Sequence, residues 1–280
     1  MTEYYNKVIV AFCEGQHDVA FLSRVLLVNG FLLQDLKIGQ LPPPFDKRFA
    51  KELSQVRIPD KKLGFQPNGP KLPSVCFFKN GNLIFIHNLN GDGRNSERNQ
   101  LITMYKELSG TDDFSLEILY RFLYFFDADN HGIDARITEI RTEIGLEDAV
   151  ALNNGNIVEF GGCEWGGYIF HDIQTQLGTL EDQLLGYFHN KNQSLRQDIV
   201  TFLQANQLRE ESTKKFLSSS TGEHYNGRAQ YYEKKSILGI YAQLQFSGVS
   251  NAVLINHTDF LRAADINGCH QCSMINSLFI

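Results

Sequence analysis

The chain has 280 residues, enough for one large domain or two small ones with a core that needs no disulfides. Hydrophobic residues make up 42% and charged residues 21%, as in an ordinary soluble globular protein; the formal net charge of -6 excludes a globally basic surface, so any nucleic-acid contact must use local patches or bridging metal. No apolar run approaches the roughly 20 residues of a membrane helix, the start MTEYYNKVIVAFCEG lacks a secretory signal, and five widely spread cysteines point to reduced thiols in a cytoplasmic protein.

From the amino end, Lys7 to Cys13 (KVIVAFC) is a compact apolar strand that stops at Glu14-Gly15. Val19, Phe21, Leu22, Val25 and Leu26 then recur at helical spacing up to the stop signal Asn29-Gly30. Glu14 is therefore expected at a strand tip and Asp18 in the first turn of the next helix, where both can face one crevice. The helix dipole alone is a reason for an acid at Asp18. An acid directly after a buried strand, followed by glycine, has little packing reason to be there.

Residues 31 to 74 change character. All seven prolines lie between Pro42 and Pro73, and Lys47, Arg48, Lys51, Lys61, Lys62 and Lys71 make the segment basic. It reads as an insertion, about residues 40–74, with a short helix from Phe45 to Gln55. Its cations either touch phosphates over a site or belong to a solvated connector. Two short strands follow, Val75 to Lys79 and Leu83 to Leu89, split by the turn Asn80-Gly81-Asn82. The Gly/Asn-rich loop Asn88 to Asn95 precedes a helix from about Ser96 to Leu108. Arg94 and Arg98 there are candidate phosphate contacts, although a plain strand-to-helix loop accounts for them too. Neither G-x-x-x-x-G-K-[ST] nor G-x-G-x-x-G is present in this loop.

The run from about Leu119 to Asp127 is apolar and continuous rather than alternating, which predicts a strand buried on both faces of a parallel sheet covered by helices. It stops at Asp127-Ala128-Asp129-Asn130-His131-Gly132, so the acids fall at a carboxyl end, where open α/β sheets place their ligands. In an ideal strand residues two apart share a face. Asp127 and Asp129 would then aim into one crevice, where a divalent cation keeps both ionised. The plain alternative is a capping aspartate and a turn aspartate. A helix over Ile133 to Ile144 comes next, then a turn and strand from Asn153 to Phe160. Four glycines surround Trp165, which reads as a buried anchor or a stacking platform, with Glu159 and Glu164 as further acids.

Beyond residue 170 the pattern turns mainly helical. Thr179 reads as a helix cap with Asp182 at the capping-box position beside Glu181. Helices are expected over Ser194 to Gln207, Glu210 to Leu217 and Ser236 to Phe246. Lys234 and Lys235 stand at the amino end of the last of these, against its dipole. Val249 to Asn256 suggests a strand, and residues 258 to 280 a helix pair or a closing strand. Cys269-His270-Gln271-Cys272 is one CxxC without the second pair that a zinc site needs.

VIVAFCEGQHDVAFL followed by LYFFDADNHG resembles a Toprim (topoisomerase-primase) domain, whose pattern is a Glu-Gly turn before a helix and then an Asp-x-Asp strand end. GTLEDQLLGYF and KKSILGIYAQLQ resemble small stand-alone bacterial and phage proteins related to the overcoming-lysogenization-defect nucleases. The likeness covers about residues 7 to 30 and 83 to 160; the proline-bearing segment departs from the family core. It implies an α/β fold with a mostly parallel sheet and helices on both faces, a catalytic core over residues 1–170, and a mainly helical part over 171–280 that completes the same globule. It also implies Mg²⁺- or Mn²⁺-dependent phosphodiester chemistry on DNA or RNA, most simply an endonuclease or nickase. Glu14, Asp18, Asp127 and Asp129 would be metal ligands, with Glu14 alternatively a general acid/base. Glu181 or Asp182 would serve a second ion and Lys235, or Lys234, the transition state. Any ATP-driven regulation would come from a separate ATPase protein. A primase-like nucleotidyl transferase, a non-catalytic binding module and a phosphotransfer fold with Asp127 as nucleophile are the competing readings.

Overall fold

The computed structural model describes residues 5–54, 72–91, 93–108, 118–146, 150–206, 213–217, 224–230 and 233–280. The first strand, β1 (Lys7–Cys13), lies inside a seven-stranded sheet. It pairs in parallel with β4 (Asn82–Asn88) on one side and β5 (Leu119–Asp127) on the other, and β5 pairs in parallel with β7 (Cys163–Phe170). Antiparallel strands β3 (Val75–Lys79) and β2 (Leu32–Leu33) extend one edge, and β6 (Ile157–Phe160) closes the other. The fold is α/β with a mostly parallel sheet.

The continuous apolar runs of β1 and β5 follow from burial on both faces. Val8, Val10 and Phe12 of β1 and Tyr120, Phe122 and Tyr124 of β5 share one core with α2 (Phe45–Ser54), α3 (Asn95–Lys106) and α4 (Ile133–Ile144). On the other face Phe125 stacks on Phe279 at 5.7 Å, and Phe170 meets Phe21 of α1 (Gln16–Val28) edge-on at 5.8 Å. There α1 packs against α9 (Ala263–Asn267) and α10 (His270–Ser277). Each of these fully buried rings contributes about 1.5–3 kcal/mol of hydrophobic stabilisation.

The glycines around Trp165 serve the sheet. Gly161 (φ 61°) and Gly162 (φ 73°) form the two-residue turn of the β6–β7 hairpin, a conformation that excludes most side chains. A Cβ on Gly167 would lie 2.3 Å from the Tyr124 carbonyl oxygen, and one on Gly166 2.6 Å from that of Asn156. Trp165 is a buried anchor: its Nε1 donates to the Phe160 carbonyl at 2.8 Å, and its ring packs on Phe122 at 5.0 Å.

The chain divides into two compact units, Met1–Leu180 with Leu261–Ile280, and Glu181–Phe260. The division falls ten residues beyond the boundary expected near residue 170, and the carboxyl-terminal helices α9 and α10 belong with the sheet. The second unit holds α5 (Leu180–Lys191) from its second residue on, α6 (Gln193–Asn206), α7 (Glu233–Gln245) and α8 (Asn251–His257). It also holds an antiparallel ribbon of β8 (Thr213–Leu217) and β9 (His224–Gln230).

Two expectations are corrected here. Residues 213–217, expected in a helix, form β8, because their backbone groups find partners in β9, a pairing no local pattern announces. Val249 to Asn256, expected as a strand, contains α8. The Ser250 hydroxyl accepts the Val253 N–H at 3.3 Å and caps that helix, and a short apolar run does not distinguish the two states. No helix among the described residues is long and apolar enough to cross a membrane.

Candidate active site

Glu14 and Asp127 leave the same edge of the sheet on neighbouring strands. Cys13, the last residue of β1, stands opposite Phe125, so Glu14 follows the end of one strand and Asp127 ends the next. The β1–β4 ladder continues past the strand ends: Leu89 N–H donates to the Cys13 carbonyl at 2.9 Å and Gly91 N–H to the Glu14 carbonyl at 2.8 Å. The backbone of Glu14 is thereby fixed. Asp18, 6% exposed, accepts the Gly15 N–H through Oδ2 at 2.8 Å, reaching back from the third residue of α1 to the amide at the helix start. Burial pushes the Cys13 thiol well up, and the charges of Asp18 and Glu14 add to it, as expected for two carboxylates clustered around the end of β1.

Asp127 accepts the Leu180 N–H through Oδ1 at 2.8 Å, and Ala128 N–H donates to the Phe170 carbonyl of β7 at 2.8 Å. Asp129 departs from the strand. Its φ of 47° lies in the left-handed region, so the alternation expected to aim it alongside Asp127 does not apply. Its backbone exchanges two hydrogen bonds with Gly178, both 2.7 Å. Its carboxylate turns to Arg136 instead, with Oδ2 accepting from Nη2 at 2.7 Å.

Arg136 is the residue that sequence reasoning missed. Only 4% exposed, it donates through Nε to the Asp127 carbonyl at 2.9 Å and through Nη1 to Glu139 at 2.9 Å, as well as to Asp129. One guanidinium thus holds the backbone of the first aspartate and the side chain of the second. The only local signal was a cation one helical turn into the segment after the acids, indistinguishable from a solvated one.

The other expected site residues fare differently. Lys47 is exposed on α2. Arg48 pairs with Glu52 and Glu107, both at 3.3 Å, along a groove of about 630 Å³ between α2 and α3 that contains none of the four acids. Arg94 pairs with Glu97 at 2.9 Å. Arg98 is corrected: 5% exposed, it makes a two-bond pair with Glu143, Nε–Oε1 2.9 Å and Nη2–Oε2 2.6 Å, over the Phe126 ring. It joins α3 to α4 and is not presented to phosphate. Glu159 is exposed, and Glu164 is bonded to Arg121 and Lys7. Lys61, Lys62 and Lys71 lie outside the described residues.

Within the second unit, the acids and lysines singled out in the sequence are partners of one another. Lys234 Nζ donates to Asp182 at 2.6 Å, and Lys235 lies 3.5 Å from buried Glu181. These pairs tie α7 to α5 and account for lysines standing against a helix dipole.

Among the described residues no three Asp, Glu, His or Cys side chains gather closely enough to hold a cation in this conformation. Asp18, Asp127 and Asp129 are each turned to a protein N–H donor.

No protein-family model matches the chain, and no curated protein matches its sequence. A solved structure does match: the crystal structure of a hypothetical protein from Pyrococcus horikoshii OT3, 12% identical, with a TM-score of 0.54 over 99% of both chains. At that identity the likeness is one of fold, and it extends over the whole chain.

Proposed function

We propose that the chain performs divalent-cation-dependent phosphodiester chemistry on nucleic acid, as an endonuclease or nickase using Mg²⁺ or Mn²⁺. The observation that carries the reading is Gly15. Its φ of −149° is extended backbone that any residue adopts, and beyond its chain neighbours a Cβ there would meet, among the described residues, only Asp18 Oδ2, at 4.0 Å. The helix start favours glycine here, but neither the backbone angle nor the packing demands one between Glu14 and Asp18. A ligand approaching Glu14 and Asp18 does, since it needs the space that a side chain would fill.

The donor set suits a hard cation, because it consists of carboxylate oxygens alone. Glu14, Asp18 and Asp127 would hold the ion, Glu14 alternatively acting as general acid/base, and Asp129 would join them on leaving Arg136. Bound there, a divalent cation supplies an activated water and neutralises charge on the leaving oxygen. The chain's own part is positional. Gly91 fixes the Glu14 backbone, Leu180 orients the Asp127 carboxylate, and Arg136 holds the turn that carries Asp129. Lys47 and Arg94 are the surface cations for backbone phosphates.

The purified chain with Mg²⁺ or Mn²⁺ is expected to cut supercoiled plasmid or RNA. Chelation should stop it, and Asp127→Ala should lower the rate by more than about 100-fold, beyond the usual effect of losing an outer-shell partner. Cleavage that survives in Asp127→Ala overturns the assignment. The protein donors already bonded to Asp18, Asp127 and Asp129 favour one second reading, a non-catalytic nucleic-acid-binding module. That reading requires binding that persists under chelation, with no turnover.

A further inference from the structure

The CxxC at the start of α10 plays no part in the carboxylate site and is two ligands short of a zinc centre. Its two sulfurs are placed differently. Cys269 is the N-cap residue of the eight-residue helix, half-buried, with extended backbone (φ −96°, ψ 118°). Cys272 is 1% exposed. No disulfide joins them in this structure. Cys269 Sγ accepts the Cys272 N–H at 3.4 Å. The Cβ of Cys272 is two bonds from that nitrogen, so the Cys272 side chain starts beside Cys269 Sγ. The amide hydrogen bond and the amino end of the helix both favour negative charge on Cys269. Tyr168 of β7 is close enough to both cysteines for their charge to raise its phenol, in addition to the larger effect of burial. The remaining cysteines, Cys13, Cys76 and Cys163, are buried and isolated from this pair in the sequence.

We propose that Cys269 and Cys272 form a redox-active dithiol that exchanges with small disulfides, with Cys269 as the attacking thiol and Cys272 as the resolving one. The Cys269 thiolate attacks one sulfur of a disulfide RSSR. An S–S bond forms to the protein, the RS–SR bond breaks, and RS⁻ leaves and takes up a proton. The Cys272 thiol then gives up its proton, attacks Cys269 Sγ and displaces the second RS⁻. The protein loses two electrons and two protons, and RSSR becomes two RSH. The inference is independent of the nuclease reading, since it uses neither the acids nor a cation.

The test is equilibration of the full chain in glutathione buffers of graded redox ratio, followed by alkylation and peptide mass spectrometry. The expected result is a disulfide between residues 269 and 272, reversed by reduced glutathione, and at least about tenfold faster reaction at Cys269 than at the three buried thiols. In Cys272→Ser, one glutathione should stay trapped on Cys269. Full alkylation of both cysteines at every ratio in the unmodified chain, or glutathione distributed over the other cysteines, overturns the proposal. The unmodified chain decides the matter even if the serine variant fails to fold.

Discussion

Arg136 Nη2 lies 2.7 Å from Asp129 Oδ2 while its Nε lies 2.9 Å from the carbonyl oxygen of Asp127. Two acids that would repel across a strand end are thus separated in role. One keeps its strand position, and the other is turned away into an ion pair. The left-handed backbone at Asp129 is the local strain that this arrangement carries.

Removing that guanidinium should cost stability. Arg136→Gln leaves the Asp127 carbonyl without this donor in a partly buried setting, an expected loss of about 1–3 kcal/mol in urea unfolding. If the midpoint is unchanged, Arg136 is not what holds the turn.

Gly15→Ala separates fold from function. The backbone at Gly15 accepts alanine, whose gain in the unfolded chain is offset by its poorer fit at a helix N-cap, so stability should change by no more than about 1 kcal/mol. Nucleic-acid cleavage should nevertheless fall by at least about tenfold, if a phosphate or cation uses the space beside Glu14. Full activity in a stable Gly15→Ala protein would show that the space is not used.

Arg98→Ala should destabilise by about 3–5 kcal/mol, since it strands a buried carboxylate at Glu143. Pairing it with Glu143→Leu should recover much of that loss, measured by a double-mutant cycle. Lys47→Ala, at an exposed position, should move stability by no more than about 0.5 kcal/mol.

At the opposite end of the sheet, burial alone would push Glu164 up, but the bonded Arg121 and the nearby Lys7 outweigh it and hold its carboxyl below the ordinary 4.5. A carboxylate with a depressed folded value contributes stability above its unfolded value, and that stability is lost as pH falls through the folded one. Unfolding scans should therefore show stability declining below about pH 4.5, with a shallower decline in Glu164→Gln. An identical acid limb in the variant would remove Glu164 from the account.

Gly15, Glu14, Asp18 and Asp127 were all legible as punctuation of apolar runs. A continuous apolar segment ending in acid and glycine is a local signal, and it correctly marked two strand ends. Arg98 and Glu143 were not legible as a pair, because 45 residues separate them and only the docking of α3 beside α4 brings them together. Lys235 and Glu181 were both singled out, yet their mutual pairing awaited the packing of α7 on α5.

The sequence by itself determined the alternation of strands and helices around a buried sheet, and the placing of Glu14 and Asp127 at strand ends, because burial on both faces and glycine turns act within a few residues. Only the tertiary structure decided that β1 and β5 are neighbours, that Asp129 leaves the strand for Arg136, and that Arg98 faces inward. Those outcomes depend on hydrogen-bond ladders and ion pairs between distant segments, whose free energy exists only once the chain has closed on itself.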